Sequence, residues 1–224
     1  MNKRSHARGD QMRRAIAQEA ARIMSEQGIE DFLLAKRKAA ERFGVADASV
    51  LPKNVEIEAA LAEHHRLFDG GKHHNTLSAL RRVALRAMRL LREFQPRLVG
   101  PVLSGTASAH SEINLHLFAE SAESVALALM EQGIPHQTAE RRLRYEPNRV
   151  VAYPAFRFVA GQQPIDAVVF PLNGIRQSPA SPVDGKPMRR GDVSEIEALL
   201  LQSEIESVAG DAGQSHQPRA AVST

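Results

Sequence analysis

The amino-acid sequence predicts an α+β protein, a helical N-terminal region followed by a small mixed-sheet domain. Three observations carry that expectation. Up to Phe94, apolar residues recur at helical spacing and glycines close the runs. Beyond Pro96, short stretches rich in Val, Ile, Leu and Phe take over, bounded by turn residues. Only one compact helical pattern interrupts these stretches before a last helix near the C-terminus.

In chain order, Met12, Ile16, Ala20 and Ile23 mark a first helix, with Gly28 as its stop. EDFLLAKRKAAERFG, rich in good helix formers, predicts a second ending at Gly44. Past a loop at Pro52, Asn54 is placed to cap a third, NVEIEAALAEHHRLF, and DGGK reads as a turn. The longest helix is predicted from about Thr76 to Phe94. Leu77, Ala84, Met88 and Leu91 form one stripe on it, and Arg82, Arg86 and Arg89 another.

RLVGPVL and SEINLHLF then predict short strands, and AESVALALMEQG a helix closed by Gly133. RVVAYPAFRFVAG and PIDAVVFPL predict two more strands that turn near Gly161, with Pro154 suggesting an edge or a bulge. RQSPASPVDGKPM is a loop, and Asp192 with Glu195 resembles a capping box for a final helix. The small, polar tail predicts disorder. The expected division is therefore a helical basic region (1–97), an α/β domain (98–203) and a disordered tail (204–224).

At 224 residues the chain can bury a real core, and its net charge of +3 hides an asymmetry. Residues 1–97 hold 19 Lys and Arg against 12 Asp and Glu, an excess of seven positive charges; the remainder holds 10 against 14, an excess of four negative ones. A basic half is compatible with a nucleic-acid or nucleotide partner, and equally with solvated helices. With no Cys there are no disulfides, thiolate zinc sites or Cys nucleophiles. No apolar run approaches a membrane span, and no apolar segment follows the basic start MNKRSHARGD as in a secretory signal. A cytoplasmic protein with no membrane partner is the expectation.

One stretch invites a chemical reading. In GPVLSGTASAHSEINLHLF, His110, Glu112, Asn114 and His116 fall on one parity and would share one face of a strand. Glu offers a hard anionic oxygen for Mg²⁺ or Mn²⁺, Asn a neutral one, and His suits softer metals. Gly100 and Gly105 upstream would let backbone amides approach a phosphate. The plainer reading is that any half-buried strand carries polar residues on its wet face.

The stretch resembles the signature of the polymerase-β-like nucleotidyltransferases: an apolar residue and Gly-Ser, a gap of about a dozen residues, then Asp-x-Asp on a strand. Val99-Gly100 matches its start, Gly105 a glycine common in its loop, and Ser111-Glu112-Ile113-Asn114-Leu115 falls where Ser-Asp-Ile-Asp-Leu would. A third carboxylate on a later apolar strand is part of the pattern, and Asp166 in PIDAVVFP has that setting. The likeness covers about Leu98 to Leu172.

It implies that Glu112, Asn114 and Asp166 would hold Mg²⁺ or Mn²⁺ and carry catalysis, and that Gly100, Ser104 and Gly105 would contact a nucleoside triphosphate. Two-metal clamping would then transfer a nucleotidyl group to an acceptor hydroxyl on a nucleic acid or a protein. The chain departs from the pattern at three places: Pro101 stands for Ser, Glu112 for the first Asp, and Asn114 for the second. Losing one carboxylate weakens a metal site. The resemblance is thus compatible with an active transferase, and with a catalytically impaired protein that senses nucleotide or binds a partner.

Other candidates weigh less. His64-His65 and His73-His74 point about 100° apart on a helix, with no Cys or acidic partner at ligand spacing, so surface histidines are expected. Arg141, Arg142 and Arg144 could meet a triphosphate or line an edge strand. Arg176, Lys186, Arg189 and Arg190 lie in or beside the Pro-rich loop, for which the sequence suggests no mechanism. LAKRKAAERFG lacks an obvious base-reading Asn or Gln, and no nucleophile elbow, Walker loop, zinc-protease or dinucleotide motif is present. A basic helical nucleic-acid binder, reading through Arg82, Arg86 and Arg89, is the remaining alternative.

Overall fold

The computed structural model describes residues 3–146 and 148–214. Three helices come first: α1 (Lys3–Gln27), α2 (Phe32–Arg42) and α3 (Asn54–His64). They close on one another through Ile16, Ala20, Ile23, Ala35, Ala39, Ile57 and Leu61, with alanines allowing close approach. Gly28 takes the left-handed conformation (φ 64°) that ends α1. Asp31 caps α2, its Oδ1 accepting from the amides of Leu33 (2.7 Å) and Leu34 (3.2 Å). The cap of α3 is Lys53, whose amide donates to Glu56 (2.6 Å), so Asn54 is the first helical residue and not the cap.

The expected turn at DGGK does not form. A π-helical segment, His65–Asp69, carries α3 directly into α4 (Gly70–Leu90). The helix there absorbs an extra residue and continues despite two glycines. His65 is buried, not a surface residue, and its ring stacks on His73 with centroids 3.9 Å apart.

The five-stranded sheet runs in the order β1-β2-β5-β4-β3, with β1 (Arg97–Val99), β2 (Ile113–Phe118), β3 (His136–Glu146), β4 (Arg149–Ala160) and β5 (Gln163–Phe170). Only β2 and β5 pair in parallel; the other neighbours are antiparallel. The β2–β5 parallel pair needs a long crossover, which α6 (Ala122–Glu131) and the β3–β4 hairpin supply. RLVGPVL is strand only to Val99; Pro101–Ser104 turns into the short helix α5. Pro154 lies in the part of β4 that pairs with β3 alone, since β4–β5 pairing begins at Ala155.

One sheet face carries Ile113, Leu115, Leu117, Ile165, Ala167 and Val169 against Leu80, Ala84 and Met88 of α4 and Leu91 just after it, with α6 and α7 (Val193–Gln214) completing the core. By packing, α4 thus belongs with the sheet, so the core divides between α3 and α4 and not near residue 97. Asp192 caps α7, accepting from the Glu195 amide at 3.0 Å. The final helix runs to Gln214, so 204–214 is helical where a disordered tail is expected; residues 215–224 lie outside the described residues.

Gly28 also permits a close approach: a Cβ there would lie 2.9 Å from the Cβ of His110, whereas one on Gly133 (φ 66°) would meet nothing. Both substitutions Gly28→Ala and Gly133→Ala incur the left-handed cost of about 1–2 kcal/mol. Gly28→Ala is expected to cost more, because it also pushes the loop before β2 away from α1. Urea unfolding of the two variants checks this; equal losses would mean that the contact is slack.

Candidate functional site

Register places the predicted residues. On the face opposite the core, Asn114 of β2 lies directly across from Asp166 of β5, and Asp166 across from Arg157 of β4. Glu112 sits one residue before β2 begins, and Arg157 Nη2 reaches it at 3.7 Å. Glu112, Asn114 and Asp166 are therefore brought together. His110 is not part of this row; it lies against the end of α1. The strand begins too late to hold it on the shared face.

His116 shares the face but is no ligand. Its ring is buried 4.5 Å from Phe170, and its Nδ1 accepts from Arg190 Nε at 3.0 Å. Burial, with Arg190 beside it, pushes its pKa down to about 3, so it stays neutral. Arg190 lies over the rings of Phe118 and Phe170 at 5.0 Å and donates to the Gly174 carbonyl at 2.9 Å.

Asp166 is the most enclosed of the three. Arg141 of β3 grips it with Nε on one oxygen (2.6 Å) and Nη2 on the other (2.9 Å), while Arg157 Nε adds a contact at 3.4 Å. Reaching Asp166 from β3 requires passing over Ala155, a small residue on the intervening strand. Sequence reading left Arg141 undecided and missed Arg157, because only strand register tells which arginine faces an acid.

The glycines serve the backbone conformation. Gly100 takes a positive φ (72°) that side chains rarely adopt, beside Asn114, whose Nδ2 a Cβ there would meet in ordinary contact at 3.4 Å. Gly105 ends α5 in the left-handed conformation, and its carbonyl accepts from His73 Nε2 at 3.0 Å. Arg81, buried on α4, donates to the carbonyls of Val102 (3.2 Å) and Leu103 (3.4 Å) and fixes this loop from behind. Ser104 Oγ lies 3.1 Å from Thr106 Oγ1.

Part of this set borders a cleft of about 840 Å³ between the first three helices, the Gly100–Ser111 segment, the sheet and the 181–189 loop. Gly100, Ser104, Asn114, Arg141 and Asp166 line it; so do Glu30, Lys36, Glu58, Asp184 and Arg189. Glu30 accepts from the Glu112 amide at 3.3 Å, and desolvation together with the charge of Glu112 pushes its pKa up against the hydrogen bonds it receives. Desolvation and Asp184 likewise push Glu58 up. The Pro-rich loop, unexplained in sequence, is the cleft's far wall; Asn54 Nδ2 ties it to the helices by donating to the Pro182 carbonyl at 2.7 Å.

The donor set does not fit a divalent ion as it stands. Both oxygens of Asp166 are engaged by guanidiniums, Glu112 shares one of them, and Asn114 is neutral. Among the described residues, no group of three or more His, Cys, Asp or Glu side chains is placed to hold a metal. The basic stripe on α4 is also partly spoken for: Arg82 pairs with Glu204 (3.0 Å) and Arg89 with Glu197 (2.7 Å), both on α7. No described helix is long and apolar enough to cross a membrane.

Comparisons with protein-family models, curated proteins and solved structures return no match. The site is therefore read from its own geometry.

Because the folded pKa of His116 lies below its unfolded value near 6.5, the unfolded chain takes up this proton first. Its contribution is fully present above pH 6.5 and is lost as pH falls toward 3, at about 1.4 kcal/mol per unit. Stability measured between pH 6.5 and 4 should fall less steeply in His116→Gln than in the native chain. Identical slopes would show that His116 is protonated without cost.

Proposed function

We propose that this chain is a nucleotidyltransferase-like protein that binds a nucleoside triphosphate in the cleft but is catalytically impaired, so that it senses nucleotide or presents it to a partner. The observation that carries this reading is the meeting of Glu112, Asn114 and Asp166 in adjoining positions beside Gly100. That constellation is what the resemblance in the sequence implies, and it depends on strands that lie far apart in the chain.

The impairment follows from the charges. Transfer through two metals needs carboxylate oxygens open to the ions. Here Mg²⁺ or Mn²⁺ would have to displace Arg157, and Arg141 as well, from the Asp166 carboxylate. Asn114 contributes an amide oxygen, a far poorer ligand than a carboxylate. Binding asks less of the site. The cleft has the volume for a nucleotide, a loop with glycines at both ends, and Lys36 and Arg189 on its walls to meet phosphates. A nucleic acid or a protein as the partner, and a cytoplasmic location, belong to the same proposal.

Thermal unfolding with each nucleoside triphosphate tests it. A ligand at 100 times its Kd adds about 2.7 kcal/mol, a rise in Tm of roughly 5–11 °C for a chain of this size. The rise should survive restoration of an acid in Asn114→Asp and vanish when the cleft is blocked in Ser104→Trp. No shift with any nucleotide would overturn the reading.

A further inference from the structure

We infer that Arg157 is a built-in cation, standing where a divalent metal would otherwise bridge Glu112 and Asp166. This rests on the reading of the cleft given above, but concerns a property of the site that is measured without nucleotide.

A single guanidinium touches both acids. Arg157 Nε lies 3.4 Å from Asp166 Oδ1, and Nη2 lies 3.7 Å from Glu112 Oε2. Its place is set by the backbone, because Arg157 and Asp166 are register partners across β4 and β5. The direct cross-strand position leaves the arginine little choice of acid. Arg141 grips both oxygens of Asp166 and shares Oδ1 with Arg157. Two carboxylates and two guanidiniums cancel, so the cluster has no residual negative charge to draw in a divalent ion.

The two arginines are not equivalent. Arg141 is bidentate on Asp166 and its side chain keeps 29% of its surface, whereas Arg157 is held by longer contacts and keeps 47%. Arg157 is therefore the half of the clamp that can swing away, and each guanidinium retains donors beyond those spent on the acids. A phosphate entering the cleft would meet the guanidinium of Arg141, which lines it, with no ion between. Binding of a nucleotide should then proceed in the absence of divalent metal.

The test is direct titration of Mn²⁺ followed by electron paramagnetic resonance. It uses the full-length native chain, Arg157→Gln and Arg157→Lys, with circular dichroism confirming that each is folded. Arg157→Gln removes one positive charge beside two acids and should bind Mn²⁺ about tenfold or more tightly than the native chain. Arg157→Lys keeps the charge and should stay near the native affinity. Adding Glu112→Gln to Arg157→Gln should reverse the gain. Native protein that binds Mn²⁺ as tightly as Arg157→Gln would overturn the inference, as would a gain of equal size in Arg157→Lys. A second arm, the ATP-induced rise in Tm with EDTA or with Mg²⁺, separates the two proposals. A rise of equal size in both supports the inference, and a rise that needs Mg²⁺ overturns it. Absence of a rise in either condition overturns nucleotide binding, while the Mn²⁺ titration still decides the role of Arg157.

Discussion

The arrangement of this molecule depends on keeping the carboxylate of Asp166 satisfied inside a sheet. Asp166 sits on β5, which is flanked on both sides by strands, and its side chain is almost wholly enclosed. A carboxylate in such a place is costly unless it is paired and hydrogen-bonded. The pairing comes from β3 and β4, two strands joined as a hairpin, each carrying one arginine to the acid. The sheet's register and the site's charge balance are thus one constraint. A slip of one residue between β4 and β5 would turn Asp166 away from Arg157 and toward the apolar core.

From that constraint the two faces of the sheet acquire different characters. Ile113, Leu115, Ile165 and Ala167 look toward α4, α6 and α7 and carry the burial that holds the fold together. Asn114, His116 and Asp166 look the other way, into a space that helices do not fill from the same segment. The first three helices partly cover that space as a separate packed unit. They touch the site at few places: Glu30 on the Glu112 amide, Asn54 on the 181–189 loop, and Gly28 against His110. A cleft between two separately packed cores is the result.

Much of the fold was legible because its signals are local. Gly28, Gly44, Gly133 and Gly161 all adopt the positive φ that a chain reversal needs, and each was expected at the end of an element. The alternation in SEINLHLF survives as the two faces of β2. Errors arose where a local signal was overruled from a distance. Two glycines failed to break the helix at residues 70 and 71, because α3 and α4 each pack on a different core and a π-helical segment joins them. The arginine stripe on α4 is solvated as expected, although acids of α7, more than a hundred residues later, meet two of its exposed members. His65 looked like a surface residue, but the same helical joint buries it against His73.

By itself the amino-acid sequence determined the α+β class, the glycines at which the chain reverses, the strand that bears Asn114 with Glu112 just before it, and the candidacy of Asp166, since periodicity and backbone preference act over a few residues. It did not determine what those acids would face. Arg141 and Arg157 are unremarkable in the chain, one of several arginines on an exposed strand and one in an apolar run. Only strand register, a property of segments brought together in folding, set their guanidiniums on Asp166 and turned a pattern suited to metal into a cluster whose charges already cancel.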